Sequence, residues 1–250
     1  MQYHQSAAVA DLATHAQPDS MKTIGLLGGM SWESTLSYYK AINEGVRQQR
    51  GGLSSAKICL YSVDFEEIEK LQHAGNWPQT AQILTHAAQA VERGGADFLL
   101  ICTNTMHKVA PQIEAALSIP LLHIADATAE QLVADGITKV GLLGTRFTME
   151  QDFYISRLTD KYGLDVVVPN APDRQQVHDI IYHELCQGIV NSSSRQRYLA
   201  IIERLQAEGA QAVILGCTEI ALLVRQQDTD VKLYDTTQLH AEKAVEWALA

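Results

Sequence analysis

The sequence predicts an α/β protein of two pseudo-symmetric halves, each a mostly parallel sheet flanked by helices, with the functional site in the cleft between them. Three observations lead there. Short apolar runs rich in β-branched residues and leucine alternate with longer segments of helical period, the pattern of βαβ units. The run Thr23-Ile24-Gly25-Leu26-Leu27-Gly28-Gly29 returns as Lys139-Val140-Gly141-Leu142-Leu143-Gly144-Thr145. The run from Gly95 to Thr105 returns from Gly209 to Glu219 at nearly the same offset (141 − 25 = 116 and 209 − 95 = 114), so one supersecondary plan is used twice.

In chain order, strands are expected at 23–28, 57–62, 97–102, 120–123, 139–143, 164–168, 212–216 and 231–234. Crossover helices are expected at 32–49, 79–93, 125–135, 148–160 and 195–208, where apolar residues recur at three- and four-residue steps. Gly94-Gly95 and Gly209 follow amphipathic segments and precede buried strands, the place for a left-handed helix end. A last helix, 236–249, is expected to fold back onto the first half. The expected domains are then a disordered extension over 1–20, a first half over 21–119 completed by that helix, and a second half over 120–235.

Composition excludes several classes. The 250 residues carry a formal charge of −10 with no Lys/Arg run, which argues against nucleic acid as partner. No apolar run approaches the roughly 18 residues of a membrane span. Residues 1–20 contain no Lys or Arg and only a short apolar run, unlike a secretory signal, and Met21 reads as the effective start. Four cysteines without a framework spacing fit a reducing cytoplasm. Neither C-x-x-C nor H-x-x-x-H occurs, so no metal site is expected.

In parallel sheets the chemistry gathers beyond the carboxyl ends of the strands. Three loops stand there: Gly28-Gly29-Met30-Ser31, Thr103-Asn104-Thr105-Met106-His107 and Cys217-Thr218-Glu219. The glycine pair serves equally as an ordinary tight turn, and it is not a dinucleotide fingerprint. The repeat sets Thr103 opposite Cys217. Cys217 ends a strand and opens a helix, where the positive helix terminus is expected to lower a thiol's pKa. Cys102 is expected to face the core, because neighbours on a strand point to opposite faces. Cys59 and Cys186 are read as packing residues. His107, one turn beyond Thr103, either relays protons or serves as a structural histidine.

On the elements Gly28-Gly29-Met30, Thr103-Asn104-Thr105-Met106-His107 and Gly216-Cys217-Thr218-Glu219, the chain from Met21 onward resembles the aspartate/glutamate racemase superfamily, near its broad-specificity and L-aspartate/glutamate-specific bacterial members. That resemblance implies a fold of two α/β halves, catalysis without pyridoxal phosphate, metal or nucleotide, an acidic amino acid as substrate, and a possible homodimer. It implies two catalytic positions on opposite faces of the α-carbon, here Thr103 and Cys217. The usual first cysteine is replaced by Thr103, which implies lopsided catalysis with Cys217 as base toward the L-enantiomer. Substrate contacts implied by the same likeness are Met30, Arg50 (with Arg47 as its alternative), Gln72, Asn104, Thr105, Thr218 and Glu219. Where some relatives carry a lysine, this chain has Gln175.

Two rival readings stay open at this point. An arylmalonate-decarboxylase-like or maleate-isomerase-like member of the superfamily also works with a single thiol of this kind. A non-catalytic amino-acid-binding protein would share the two-halved cleft.

Overall fold

The structure, a computed structural model, describes residues 21–250; the expected extension over 1–20 lies outside the described residues. In chain order the described elements begin with β1 (Ile24–Gly28), α1 (Trp32–Arg50), β2 (Ile58–Ser62), α2 (Phe65–His73), α3 (Trp77–Arg93), β3 (Phe98–Ile101), a 3-10 turn (Thr105–Val109), α4 (Ala110–Glu114) and α5 (Ile124–Ala134). They continue with β4 (Lys139–Gly144), α6 (Arg146–Glu150), α7 (Asp152–Tyr162), β5 (Asp165–Val167), α8 (Ala171–His183), α9 (Ser192–Ala207), β6 (Ala212–Gly216), α10 (Ile220–Leu223), β7 (Lys232–Asp235) and α11 (Thr236–Leu249). The described strands form two sheets, ordered β2-β1-β3 and β5-β4-β6-β7, with every pairing parallel.

Two expected elements differ. Residues 120–123 form no strand but a single parallel bridge, Leu99 to Leu121. Pro120 has no N–H to donate and offers only its carbonyl to Leu99 N, and His123 already caps α5, so no room is left for a second rung. The helix expected at 148–160 is two, α6 and α7, separated at Gln151, whose extended backbone (φ −105, ψ 146) breaks the spiral. The sequence reading also passed over α2 and α8. Helix α8 opens on the Asn170 cap with Pro172 in its first turn, a signature of helix starts.

Alternation along the central strands assigns each side chain to a layer. Ile24 and Leu26 of β1, with Phe98, Leu100 and Cys102, pack against Tyr38, Ile42 and Val46 of α1 and Ala241, Ala244 and Val245 of α11. Leu27, Leu99 and Ile101 face the opposite way onto Leu84, Ala88 and Val91 of α3. Cys102 is therefore a core residue, fully buried, as the alternation predicts. Helix α11 lies on α1, with Gly45 against Val245 and the Tyr38 hydroxyl 2.7 Å from Nδ1 of His240.

The repeated glycine has the same task in both sheets. A Cβ on Gly25 would stand 2.6 Å from Val91 Cγ1 of α3 and 2.7 Å from the Phe98 carbonyl oxygen; on Gly141 it would stand 2.9 Å from Leu205 Cδ1 of α9. Each glycine lets its covering helix approach the sheet. At Gly25 one obstacle is backbone, whereas at Gly141 the nearest is the end of a flexible leucine. Gly25→Ala is therefore expected to destabilise by about 1–3 kcal/mol, the cost of overpacking a core, and Gly141→Ala by less; urea midpoints of the two variants measure the order.

Candidate active site

The carboxyl ends of β1, β3, β4 and β6 converge on one small cavity of about 30 Å³ between the halves, lined among others by Met30, Gln72, Thr103, Asn104, Thr105, Thr145, Tyr182, Cys186, Cys217 and Glu219. All four loops are short because each strand passes within one to three residues into a helix or 3-10 turn. Gly29, at φ +93 and with no room for a Cβ beside the Val63 backbone, lets the first loop turn under the cavity. Ser31 then caps α1, accepting from Ser34 N.

The two halves meet through polar side chains on and beside this lining. Ser31 Oγ donates to Glu219 Oε1 at 2.6 Å, Thr105 and Thr145 share a hydrogen bond at 3.1 Å, and Gln72 Nε2 donates to the Tyr182 hydroxyl at 2.7 Å. Asn104 Nδ2 donates to Thr236 Oγ1 at 3.0 Å, and that hydroxyl spends its own proton on the Leu215 carbonyl. Thr236 can therefore only accept from Asn104. The orientation of the amide follows, and it leaves Asn104 Oδ1 buried without a partner.

Cys217 directly follows β6 and is 8% exposed. Its thiol donates to Glu219 Oε2 at 3.0 Å, and the same oxygen accepts from Thr218 Oγ1 at 2.8 Å. Burial, then the Glu219 charge, pushes this thiol well above its ordinary value. The lowering expected from a helix terminus is not present, because α10 has only four residues and starts at Ile220, three positions on. Desolvation and a touching carboxylate outweigh so short a dipole. Cys102 and Cys186 are raised as well, both by burial first.

Thr103 lines the cavity from the first half, its backbone fixed by Thr103 N to Ile101 O at 2.9 Å. His107 fixes it from the other side. Its Nδ1 lies 2.8 Å from the Thr103 carbonyl, which can only accept, so Nδ1 carries the proton and Nε2 is the acceptor for Ile124 N at 3.2 Å. With both ring nitrogens engaged by backbone, His107 holds the loop instead of relaying protons. It belongs to a buried trio: its ring lies 4.3 Å from that of His123 and 6.1 Å from that of His240.

Other sequence-stated contacts separate. Met30, Gln72, Asn104, Thr105 and Glu219 are on the lining, and Thr218 stands behind it on Glu219. Arg50 is not on it: it ends α1, whose start adjoins the site, and 18 residues at a 1.5 Å rise put it about 27 Å away along the axis. Arg47 shares that remote turn. Gln175 lies in a separate surface hollow, accepting from Arg146. Among the described residues lining the cavity there is no lysine or arginine. Thr145, Tyr182 and Cys186 were missed as site residues. The repeat pairs Thr145 with Gly29 and so carried a signal for it, whereas Tyr182 and Cys186 lie on and just after the unrecognised α8.

Residues 27–244 match the Asp/Glu/hydantoin racemase family. The broad-specificity amino-acid racemase RacX of Bacillus subtilis is 23% identical over 235 residues, covering 91% of this chain and 98% of that one. A crystal structure from Yersinia pestis assigned to the Asp/Glu racemases is 56% identical, covers 92% of this chain and all of its own, and superposes with a TM-score of 0.86. The structure of an aspartate racemase homologue from Pyrococcus horikoshii, 37% identical, covers 92% of this chain and 100% of that one at a TM-score of 0.80. The chain belongs to the Asp/Glu/hydantoin racemase family. As an enzyme it is an isomerase of the amino-acid racemase class.

The histidine trio gives the site an acid limit. Burial lowers His107 from 6.5 to about 4 and His240 to about 3, and lowers His123 still further. The unfolded chain takes up these protons near pH 6.5 and the folded chain does not, so stability is undiminished above that pH and is lost as pH falls from there toward 4. Urea midpoints between these pH values should fall steeply in the wild type, and less in His240→Asn once its lower starting stability is subtracted.

Proposed function

We propose that the protein racemises acidic amino acids, aspartate or glutamate, without a cofactor, using Cys217 as the base for the L-enantiomer and Thr103 in place of a second thiol. The observation that carries this reading is the entry of Thr103 and Cys217 into one cavity from matching strand ends of the two halves. Membership of the racemase family supports it.

The α-hydrogen of the L-enantiomer passes to the Cys217 thiolate, and the electron pair it leaves spreads into the α-carboxylate. Hydrogen bonds that strengthen on that developing charge lower the barrier. Asn104, Thr105 and Thr218, with the backbone of the Met30 loop, are the assigned clamp on the α-carboxylate and ammonium, and Glu219 is the assigned acid partner in it. With Arg50 and Gln175 outside the cavity, the side-chain carboxylate rests on neutral donors. The Tyr182 hydroxyl suits this, since it accepts from Gln72 and its own proton is left for the cavity. The proton for the other face comes by way of Thr103, whose hydroxyl is too weak an acid and base to match a thiol. His107 has no part in that transfer, since both of its nitrogens are engaged.

Proton NMR in deuterium oxide with each enantiomer of both acids tests substrate, face and base together. Initial exchange is expected to be much faster from the L side, and comparable rates from both sides would refute the asymmetry. Cys217→Ser should lower exchange by about 10²–10⁴, the range of a lost acid–base group. Thr103→Cys should raise conversion from the D side. Carbon dioxide released from an arylmalonate, with no exchange at aspartate, would replace the racemase reading by a decarboxylase.

A further inference from the structure

We propose that Glu219 makes Cys217 a substrate-gated base: its carboxylate holds the thiol proton in the free enzyme and receives the ammonium of the entering amino acid, so that thiolate forms only with substrate in place. The ammonium half rests on the racemase reading above. The geometry of the pair stands apart from it.

Glu219 is 4% exposed. One oxygen accepts from the Cys217 thiol at 3.0 Å and from Thr218 at 2.8 Å; the other accepts from Ser31 of the opposite half at 2.6 Å. Three hydrogen-bonding partners orient it, yet among the described residues none of them is cationic and no Lys or Arg lines the cavity. A buried carboxylate without a cation is expensive, and a cation that fits beside it is bound correspondingly well. An α-amino acid brings an ammonium next to the carbon on which Cys217 acts. Asn104 Oδ1, buried on the same lining without a partner, is a second acceptor for that group.

The electrostatics then run in one direction. With Glu219 charged and nothing opposing it, a second negative charge on Cys217 is disfavoured, and the proton stays on sulfur. An ammonium beside the carboxylate cancels much of that field and lets the thiol ionise. The ionisable groups acting on the pair are Cys186, Tyr182 of α8 and Tyr198 of α9, with Glu33 of α1 acting on Cys186, and none of them supplies a positive charge. On binding, the S–H bond breaks and its proton passes to water. The thiolate forms a new S–H bond with the α-hydrogen as the Cα–H pair moves into the α-carboxylate. A solvent-derived proton delivered on the Thr103 side completes the new Cα–H bond, so protons balance and Cys217 ends as the thiol.

Iodoacetamide alkylation of the intact protein, quantified at the Cys217 peptide across about pH 6–10, brackets the ordinary thiol value of about 8.5 and reads the gate without turnover. Glu219→Gln, which removes the charge and keeps an acceptor, should move the titration down by at least a unit and speed alkylation near pH 8 about tenfold or more. Glu219→Asp, which keeps the charge, should stay slow; rescue by charge alone is not expected of a merely loosened site. In kinetics, Glu219→Gln should raise KM for L-aspartate by more than about tenfold, as loss of a charge-paired contact does, with Glu219→Asp between it and wild type. An unchanged alkylation profile in Glu219→Gln, or Glu219→Asp alkylating as fast as Glu219→Gln, overturns the thiol lock. If wild type exchanges no acidic amino acid, the racemase reading and the ammonium half fall together, while alkylation still decides the lock.

Discussion

Glu219 holds a carboxylate in a cavity that offers it a thiol, two hydroxyls and, among the described residues, no cation, and the placing of several other groups follows from satisfying it. Ser31 reaches it from the first half while capping α1, so the same hydroxyl that starts a helix also joins the halves. Thr218 and Cys217 reach it from their own loop. Once those bonds are made, the thiol points at a carboxylate instead of at a helix terminus, and its proton is held more firmly than position in the chain alone would suggest. Buried polar networks of this kind are costly when half-satisfied, so they fix geometry closely.

The halves are built alike but finish differently. Both sheets are parallel, both keep a glycine under the covering helix, and both deliver a strand end to the cleft. Just beyond β3 the first half presents a threonine whose backbone is held by His107; just beyond β6 the second presents a cysteine. A symmetrical frame with unlike end groups is what a one-sided proton transfer requires, and it is the basis of the proposed preference for one enantiomer. The cross-half contacts at Thr105–Thr145 and Gln72–Tyr182 close the same cavity with neutral groups, consistent with a substrate that brings its own charges.

Much of the frame was legible because it repeats. Buried parallel strands announce themselves as continuous apolar runs, and β1, β4 and β6 fall within a residue of where the runs place them. Alternation on β3 separated Cys102 from Thr103 without coordinates. Local reading failed where neighbours decide the outcome: 120–123 has strand composition but only one rung's worth of partner, and 148–160 has helical period but turns at Gln151. Within the site, Thr103, Asn104, Thr105, Cys217 and Glu219 lie on two motifs and were visible as such. Tyr182 and Cys186 arrive from α8 and the turn after it, more than thirty residues before Cys217, and no local pattern links them to it.

The sequence by itself determined the layered α/β plan, its duplication and the unlike pair Thr103 and Cys217, because periodicity, strand-end position and repeat register are properties of neighbouring residues and need no long-range partner. Only the tertiary structure decided what surrounds that pair. It set Arg50 at the remote end of a 19-residue helix, engaged both nitrogens of His107 with backbone, and brought Ser31 to Glu219 across 188 positions of chain. Distance along a helix, the second partner of a ring nitrogen and the burial of a charge are fixed only when the halves close on one another, and these quantities set the chemistry of the cleft.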